Sequence, residues 1–241
     1  MGQLIDLSTA RATRAARRGR RGAPGAPAPT GPDGAGEAGG AGEAGGAATF
    51  WLDVASPFTY LATERVERVQ AELRWRPVLG HLVPGAASWE GPGGAAARAH
   101  AERRAEALRM PLVWPERSLS RARAVTRAAA HAAEHDRAGA FVLAAGRLAF
   151  CGGFDLDDPE VLAEAAGAAG LVVEDCLAAA SDTARDIEIA TATRCLAAAG
   201  VDGLPVLQVG GRLFCGEERL AEAAGKARVS AGTPVRLPHV S

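Results

Sequence analysis

Aromatic residues are scarce in this chain, at 5% of 241, and alanine supplies much of the 48% that is of hydrophobic type. A core must therefore be built largely from Leu, Val and Ala, yet the total suffices for one sizeable domain or a domain with an insertion. No uninterrupted apolar run approaches the roughly 20 residues that a helix needs to cross a bilayer, so no membrane partner is expected. An excess of either charge is missing too. With 27 basic and 28 acidic residues the formal charge is −1, which gives nucleic acid nothing to hold. Cysteine occurs four times, at Cys151, Cys176, Cys195 and Cys215, and never as C-x-x-C. The close paired spacings of structural zinc are absent, so no metal is expected and the cysteines read as small buried hydrophobes. Nothing asks for an oxidising compartment, and a cytoplasmic location is the expectation.

The first 48 residues lack the side chains that bury a core. A basic cluster, Arg17–Arg18–Gly19–Arg20–Arg21, leads into Gly, Ala and Pro, with Gly36–Glu37–Ala38–Gly39–Gly40–Ala41 repeated at Gly42–Ala47. This composition predicts a flexible tail; residues 229–241 are expected to be a C-terminal tail. Paired arginines invite an export reading, but no apolar stretch follows them.

What is there begins at Phe50. The run Phe50–Trp51–Leu52–Asp53–Val54 stops at Ser56–Pro57, after which Tyr60, Leu61, Val66 and Val69 recur at helical spacing. A buried strand running into a helix is predicted, with serine at the cap and proline in the first turn. Ser56 then stands at the positively polarised helix N-terminus, where it is either a cap alone or a residue that meets an anion. Leu73–Leu79 alternates as a strand, with Pro77 marking an edge or bulge, which completes a βαβ unit with a parallel pair. Helical patterns follow at Ala95–Leu108, Ser118–Asp136, Gly139–Phe150, Pro159–Ala169 and Val173–Ala199. The sheet resumes with Gly203–Val209, a Gly210–Gly211 turn and Arg212–Cys215, a hairpin signal. In the helical block His131 and His135 are four apart and share a face, but no H-E-x-x-H follows; a solvated pair is expected.

Asp53, Ser56, Pro57, Tyr60, Leu61 and Ala62 match a D-x-x-S-P-x-x-Y-L-A pattern. Through it the chain resembles DsbA-like thioredoxin-fold proteins, in the branch of 2-hydroxychromene-2-carboxylate isomerases and kappa-class glutathione transferases. The resemblance implies an α/β thioredoxin-like fold, βαβ then ββα, with a large all-helical insertion. Residues 49–82 and 200–228 would form the thioredoxin-like domain and 83–199 the insertion. In dithiol relatives C-x-x-C occupies the positions of Ser56 to Thr59, so both thiols are hydroxyls here. Gly203–Leu204–Pro205–Val206 is similar to the Gly-Val-Pro-Thr segment of the fold, which implies a cis Pro205 and a Leu204 backbone that pairs with the cysteinyl part of glutathione. Glu218 stands where the branch carries an aspartate for the γ-glutamyl end, and Glu217 replaces a glutamine. Leu112–Val113–Trp114–Pro115 resembles a segment whose aromatic borders the substrate cleft. Where the branch has an asparagine after its second strand this chain has Val83–Pro84–Gly85, and Arg98 and His100 lie nearest its lysine and tyrosine.

The implied chemistry is that of a thiol-dependent isomerase or transferase: Ser56 activates glutathione or another low-molecular-weight thiol, with Tyr60, Trp114, Leu204, Pro205 and Glu218 around the ligands. A DsbA-like disulfide oxidoreductase would need a thiolate that Ser56 and Thr59 do not supply. A non-catalytic thioredoxin-fold binding protein is the third reading. The expected partners are a small-molecule substrate and, at most, a second copy of the chain.

Overall fold

The computed structural model describes residues 48–69, 73–91, 93–115, 117, 119 and 122–223; the tails expected at 1–48 and 229–241, apart from Ala48, lie outside them. Ala48–Leu52 (β1) has Ala48, Phe50 and Leu52 buried, with Thr49 and Trp51 half-buried on the other face. Ala48 is thus the first strand residue and not the end of a tail. β1 runs into Pro57–Val69 (α1) and pairs in parallel with Leu73–Pro77 (β2), Phe50 opposite Trp75. Val206–Val209 (β3) and Arg212–Cys215 (β4) close the sheet as an antiparallel hairpin through Gly210 and Gly211, whose φ values are both positive. The order is β2-β1-β3-β4, so Pro77 ends an edge strand, where a missing N–H costs no ladder bond.

Among the described residues six α-helices stand between β2 and β3: Gly94–Leu108 (α2), Arg123–Glu134 (α3), Ala138–Phe150 (α4), Pro159–Ala168 (α5), Val173–Ser181 (α6) and Arg185–Ala198 (α7). This is the α/β thioredoxin-like fold with a helical insertion. The stretch Val173–Ala199 is two helices and not one. Asp182 leaves helical geometry at ψ 98° and its carboxylate accepts the Ala184 N–H, which restarts the chain as α7. Asp158 caps α5 by accepting the Glu160 N–H at 2.8 Å, with Pro159 at the first helical position.

The main core joins sheet and insertion: Phe50, Leu52 and Leu61 belong to one cluster with Phe141, Val142 and Phe150 of α4. Close passage of α1 and α4 rests on Gly146, where an added Cβ would lie 3.3 Å from the Tyr60 ring. A second cluster, Val78, Val83, Leu196, Val201, Leu204 and Val206, fastens α7 beside the ends of β2 and β3. Thr193 of α7, fully buried, donates to Ile189 O and accepts the Leu79 N–H. Sheet and inserted helices form one compact unit.

Two further expectations change. Cys151 and Cys195 are exposed and Cys215 is half-buried, so only Cys176 is a buried hydrophobe; burial pushes its thiol up to about 11. His131 is buried, at 8% exposure, because its face of α3 packs against the core; only His135 is solvated.

Candidate active site

The turn from β1 into α1 builds the site. Ser56 N–H donates to Asp53 O at 3.0 Å, and Ser56 O accepts the Tyr60 N–H at 3.2 Å, so Ser56 is the cap residue of α1 and Pro57 opens the helix. Its hydroxyl makes no hydrogen bond among the described residues, and Ser56 is buried. One helical turn on, Thr59 Oγ1 is buried with no hydrogen-bond partner among the described residues. Buried hydroxyls are nearly always bonded, so the free Thr59 hydroxyl, three residues after the unbonded Ser56 at the helix N-terminus, points to a ligand or water there. The cap reading of Ser56 is therefore not the one its side chain fulfils.

Across the sheet the Leu204–Pro205 peptide is cis, as the resemblance implies. Trp51 pairs with Val206; continuing that antiparallel register sets Pro205 beside Leu52 and Leu204 beside Asp53, next to the turn. Gly216 N–H donates to Pro205 O at 2.8 Å and holds the strand entrance.

On the other side of the turn lies a cleft of about 270 Å³, lined by Asp53, Ala55, Gly80, His81, Ser88, Trp89, Arg123 and Thr126 among others. Asp53 takes N–H bonds from Ala55, at 3.0 Å, and from Gly80. A Cβ at Gly80 would overlap Asp53 Oδ2, so glycine makes room for the carboxyl. Burial pushes this carboxyl up to about 6, against the pull of those two N–H groups. His81 is pushed below its ordinary value by burial and then by Arg123. The cleft thus offers an acid that titrates near neutrality, an imidazole, a guanidinium and an indole.

The other expected site residues are dispersed. Tyr60 points away from the cleft: its hydroxyl lies 3.2 Å from both Pro111 O and Cys151 Sγ, its ring stacks on Phe150, and it lines a separate pocket with Arg147 and Cys151. Burial and Cys151 raise its pKa. Trp114 packs on Trp89 at 5.7 Å, lies under the Arg98 guanidinium and donates to Glu102, so it backs the cleft wall through Trp89. Glu218 is exposed and folds its carboxylate over Gly216. Its neighbour Glu217 is the buried acid, held by Arg65 and Arg104. At the place of the branch's asparagine Pro84 and Gly85 are exposed, and Gly85 abuts Asp202 O, ahead of Leu204.

A family model for the DSBA-like thioredoxin domain matches residues 48–226. The chain belongs to that family. Among solved structures it is similar to a 2-hydroxychromene-2-carboxylate isomerase, at 18% identity and TM-score 0.63, over 76% of this chain and 95% of that one. It is also similar to a probable DsbA oxidoreductase from Streptomyces coelicolor, at 23% identity and TM-score 0.61, over 80% and 93% of the two chains. At these identities the likeness carries the fold alone. Among curated sequences none matches the chain.

For a DSBA-like thioredoxin domain the first turn of α1 is notable for its chemistry: hydroxyls, and no thiol. Cys215 is half-buried on β4, with its thiol pushed up by burial. Sequence reasoning missed Asp53 as a functional group, although it stands in the D-x-x-S-P pattern three residues before Ser56. It also missed His81, Trp89 and Arg123, which the fold assembles from a loop and a helix start that carry no shared spacing.

Proposed function

We propose that this protein is a small-thiol-dependent isomerase. The observation that carries the reading is the pair of unpartnered hydroxyls, Ser56 and Thr59, in the first turn of α1. A thiol, glutathione or another of low molecular weight, would lie along Leu204–Pro205 with its sulfur toward Ser56. The Ser56 hydroxyl donates to the sulfur, and the helix N-terminus lowers the thiol's pKa. Glu218 would meet the amino end of a γ-glutamyl thiol.

The thiolate adds to an electron-poor conjugated double bond held in the Asp53–Trp89 cleft. A carbon–sulfur bond forms, the π pair moves to the conjugated carbonyl oxygen, and the former double bond becomes single and rotates. Return of the pair re-forms the double bond and expels the thiolate, so the thiol is not consumed. Trp89, with Trp114 behind it, offers a face to a flat substrate, and His81 and Arg123 offer donors to a substrate carboxylate. Were the adduct released instead, the outcome would be a transferase of the kappa kind at the same site. Dithiol exchange is disfavoured because no thiolate nucleophile stands at α1. A reducing compartment, where small thiols abound, is the setting that this chemistry asks for.

Calorimetric titration with glutathione, and separately with cysteine, of the wild-type protein and Ser56→Ala tests the reading. Loss of a hydrogen bond to a charged sulfur is worth about 1.5–3 kcal/mol, so binding should weaken roughly tenfold or more in the variant. No binding of either thiol by a folded wild-type protein would sink the isomerase and leave a non-catalytic binding protein.

A further inference from the structure

The C-terminal end of α3 gathers three side chains with metal-ligand chemistry. His131 and His135 are one turn apart, with ring centroids 4.3 Å apart, and Glu134 lies between them in sequence with Oε2 3.7 Å from His131 Nδ1. One ligand atom from each residue lies within 4.8 Å of the others. We propose that His131, Glu134 and His135 form a binding site for a borderline divalent cation of the zinc kind.

Several features prepare these residues for that role. His135 Nδ1 is 2.9 Å from His131 O. A carbonyl only accepts, so Nδ1 carries the proton and Nε2 keeps its lone pair free. Metal-bound histidines are commonly held in this way, by a backbone carbonyl at the second nitrogen. His131 is buried, so its ring is held in place by the packing around it. Two imidazoles and one carboxylate suit zinc, copper or nickel, and not calcium or magnesium, which take oxygen ligands.

Tetrahedral zinc with bonds near 2.0–2.1 Å holds its ligand atoms about 3.4 Å apart. His135 is exposed and the Glu134 side chain is 48% exposed, so both have room to rotate the remaining distance. Arg185 holds Glu134 through Oε1 at 2.6 Å and Oε2 at 3.1 Å. The shorter bond is to the oxygen that faces away from His131, so Oε2 can turn to the metal while Oε1 keeps Arg185. That guanidinium also faces a second carboxylate, with its Nε 3.8 Å from Asp182 Oδ2. Three protein ligands leave one position to water. A cation here would tie the end of α3 to α7 through Glu134 and Arg185.

The site is independent of Ser56. α3 ends beside Leu73 and Trp75, at the start of β2, whereas Ser56 follows the end of the parallel strand β1.

The test is calorimetric titration of the full chain with Zn²⁺, in a Cys151→Ser/Cys195→Ser background that removes the exposed thiols, and again after His135→Ala. His135 is exposed, so its truncation leaves the core intact, which far-UV circular dichroism checks. One equivalent of Zn²⁺ should bind, His135→Ala should weaken it about tenfold or more, and Zn²⁺ should raise the melting temperature of the parent only. Equal binding with and without His135, or no binding once the two cysteines are removed, overturns the proposal. Binding of Ca²⁺ as tight as that of Zn²⁺ also overturns it, because imidazoles would then not be the ligands.

Discussion

Burial holds the Asp53 carboxyl at about 6, against 3.8 when it is free. The sign of the consequence is fixed by which state keeps the proton. Between about pH 4 and pH 6 the unfolded chain loses it while the folded chain retains it, so stability falls as pH rises through that window. Above it the cost is about 3 kcal/mol at most, since Asp53 keeps some contact with cleft water. Asp53→Asn has no proton to release, so its urea midpoint should stay flat where the wild type declines, measured at intervals from pH 4 to 7. Parallel profiles would show that the carboxylate is as well solvated folded as unfolded. The same residue marks a limit of reading. Its place in the D-x-x-S-P pattern was plain, yet nothing local says that Gly80, 27 positions later, will leave room for its carboxyl and bury it. Ser56 was legible because cap, proline and helix period are local signals; its lack of a hydrogen bond was not.

Among the elements, the 3₁₀ turn Glu217–Arg219 after β4 is held in an unusual way. Glu217 is fully buried, its Oε2 2.7 Å from Arg65 of α1 and its Oε1 2.5 Å from Arg104 of α2. Arg65 also donates to Glu217 O at 3.3 Å. One acid thus ties the end of the sheet to two helices from distant parts of the chain. Both arginines are more than a quarter exposed, so water tempers the pair. Glu217→Ala would leave two guanidinium groups facing each other, at a cost of about 2–3 kcal/mol, below the range for wholly buried pairs. Glu217→Gln should lose less, since it keeps an acceptor. Urea unfolding measures both, and a near-zero change in each would mean that packing of Phe214 and Leu220 alone holds the turn. Helices were legible here to within a few residues where caps are explicit, as at Asp158–Pro159. They merged where the break is made by Asp182 accepting the Ala184 N–H, because alanine-rich periodicity runs on both sides of it. Glu218 drew attention by its place in the motif, while the acid that the fold buries is the one before it.

At the scale of the whole molecule, the division into a thioredoxin-like domain and an inserted helical domain describes the order of the chain better than its energetics. Connectivity was legible because strand and helix periods differ. The shared core was not, since no spacing says that Phe141 and Phe150 of α4 will pack with Phe50, Leu52 and Leu61. In a chain so poor in aromatics, these rings supply much of the apolar area that sheet and insertion hide from water together. Neither part has a complete core of its own, so they should unfold as one. Far-UV circular dichroism reports chiefly the helices, and tryptophan fluorescence reports Trp51 and Trp75 on the sheet together with Trp89 and Trp114 beyond it. The two urea transitions should coincide. Phe141→Ala in the insertion and Leu52→Ala in the sheet should each lower that common midpoint, by about 3 kcal/mol apiece. Should the helical signal survive Leu52→Ala while the sheet melts, the insertion would be a domain in its own right, and the cleft between Asp53 and Arg123 would join two independently stable parts.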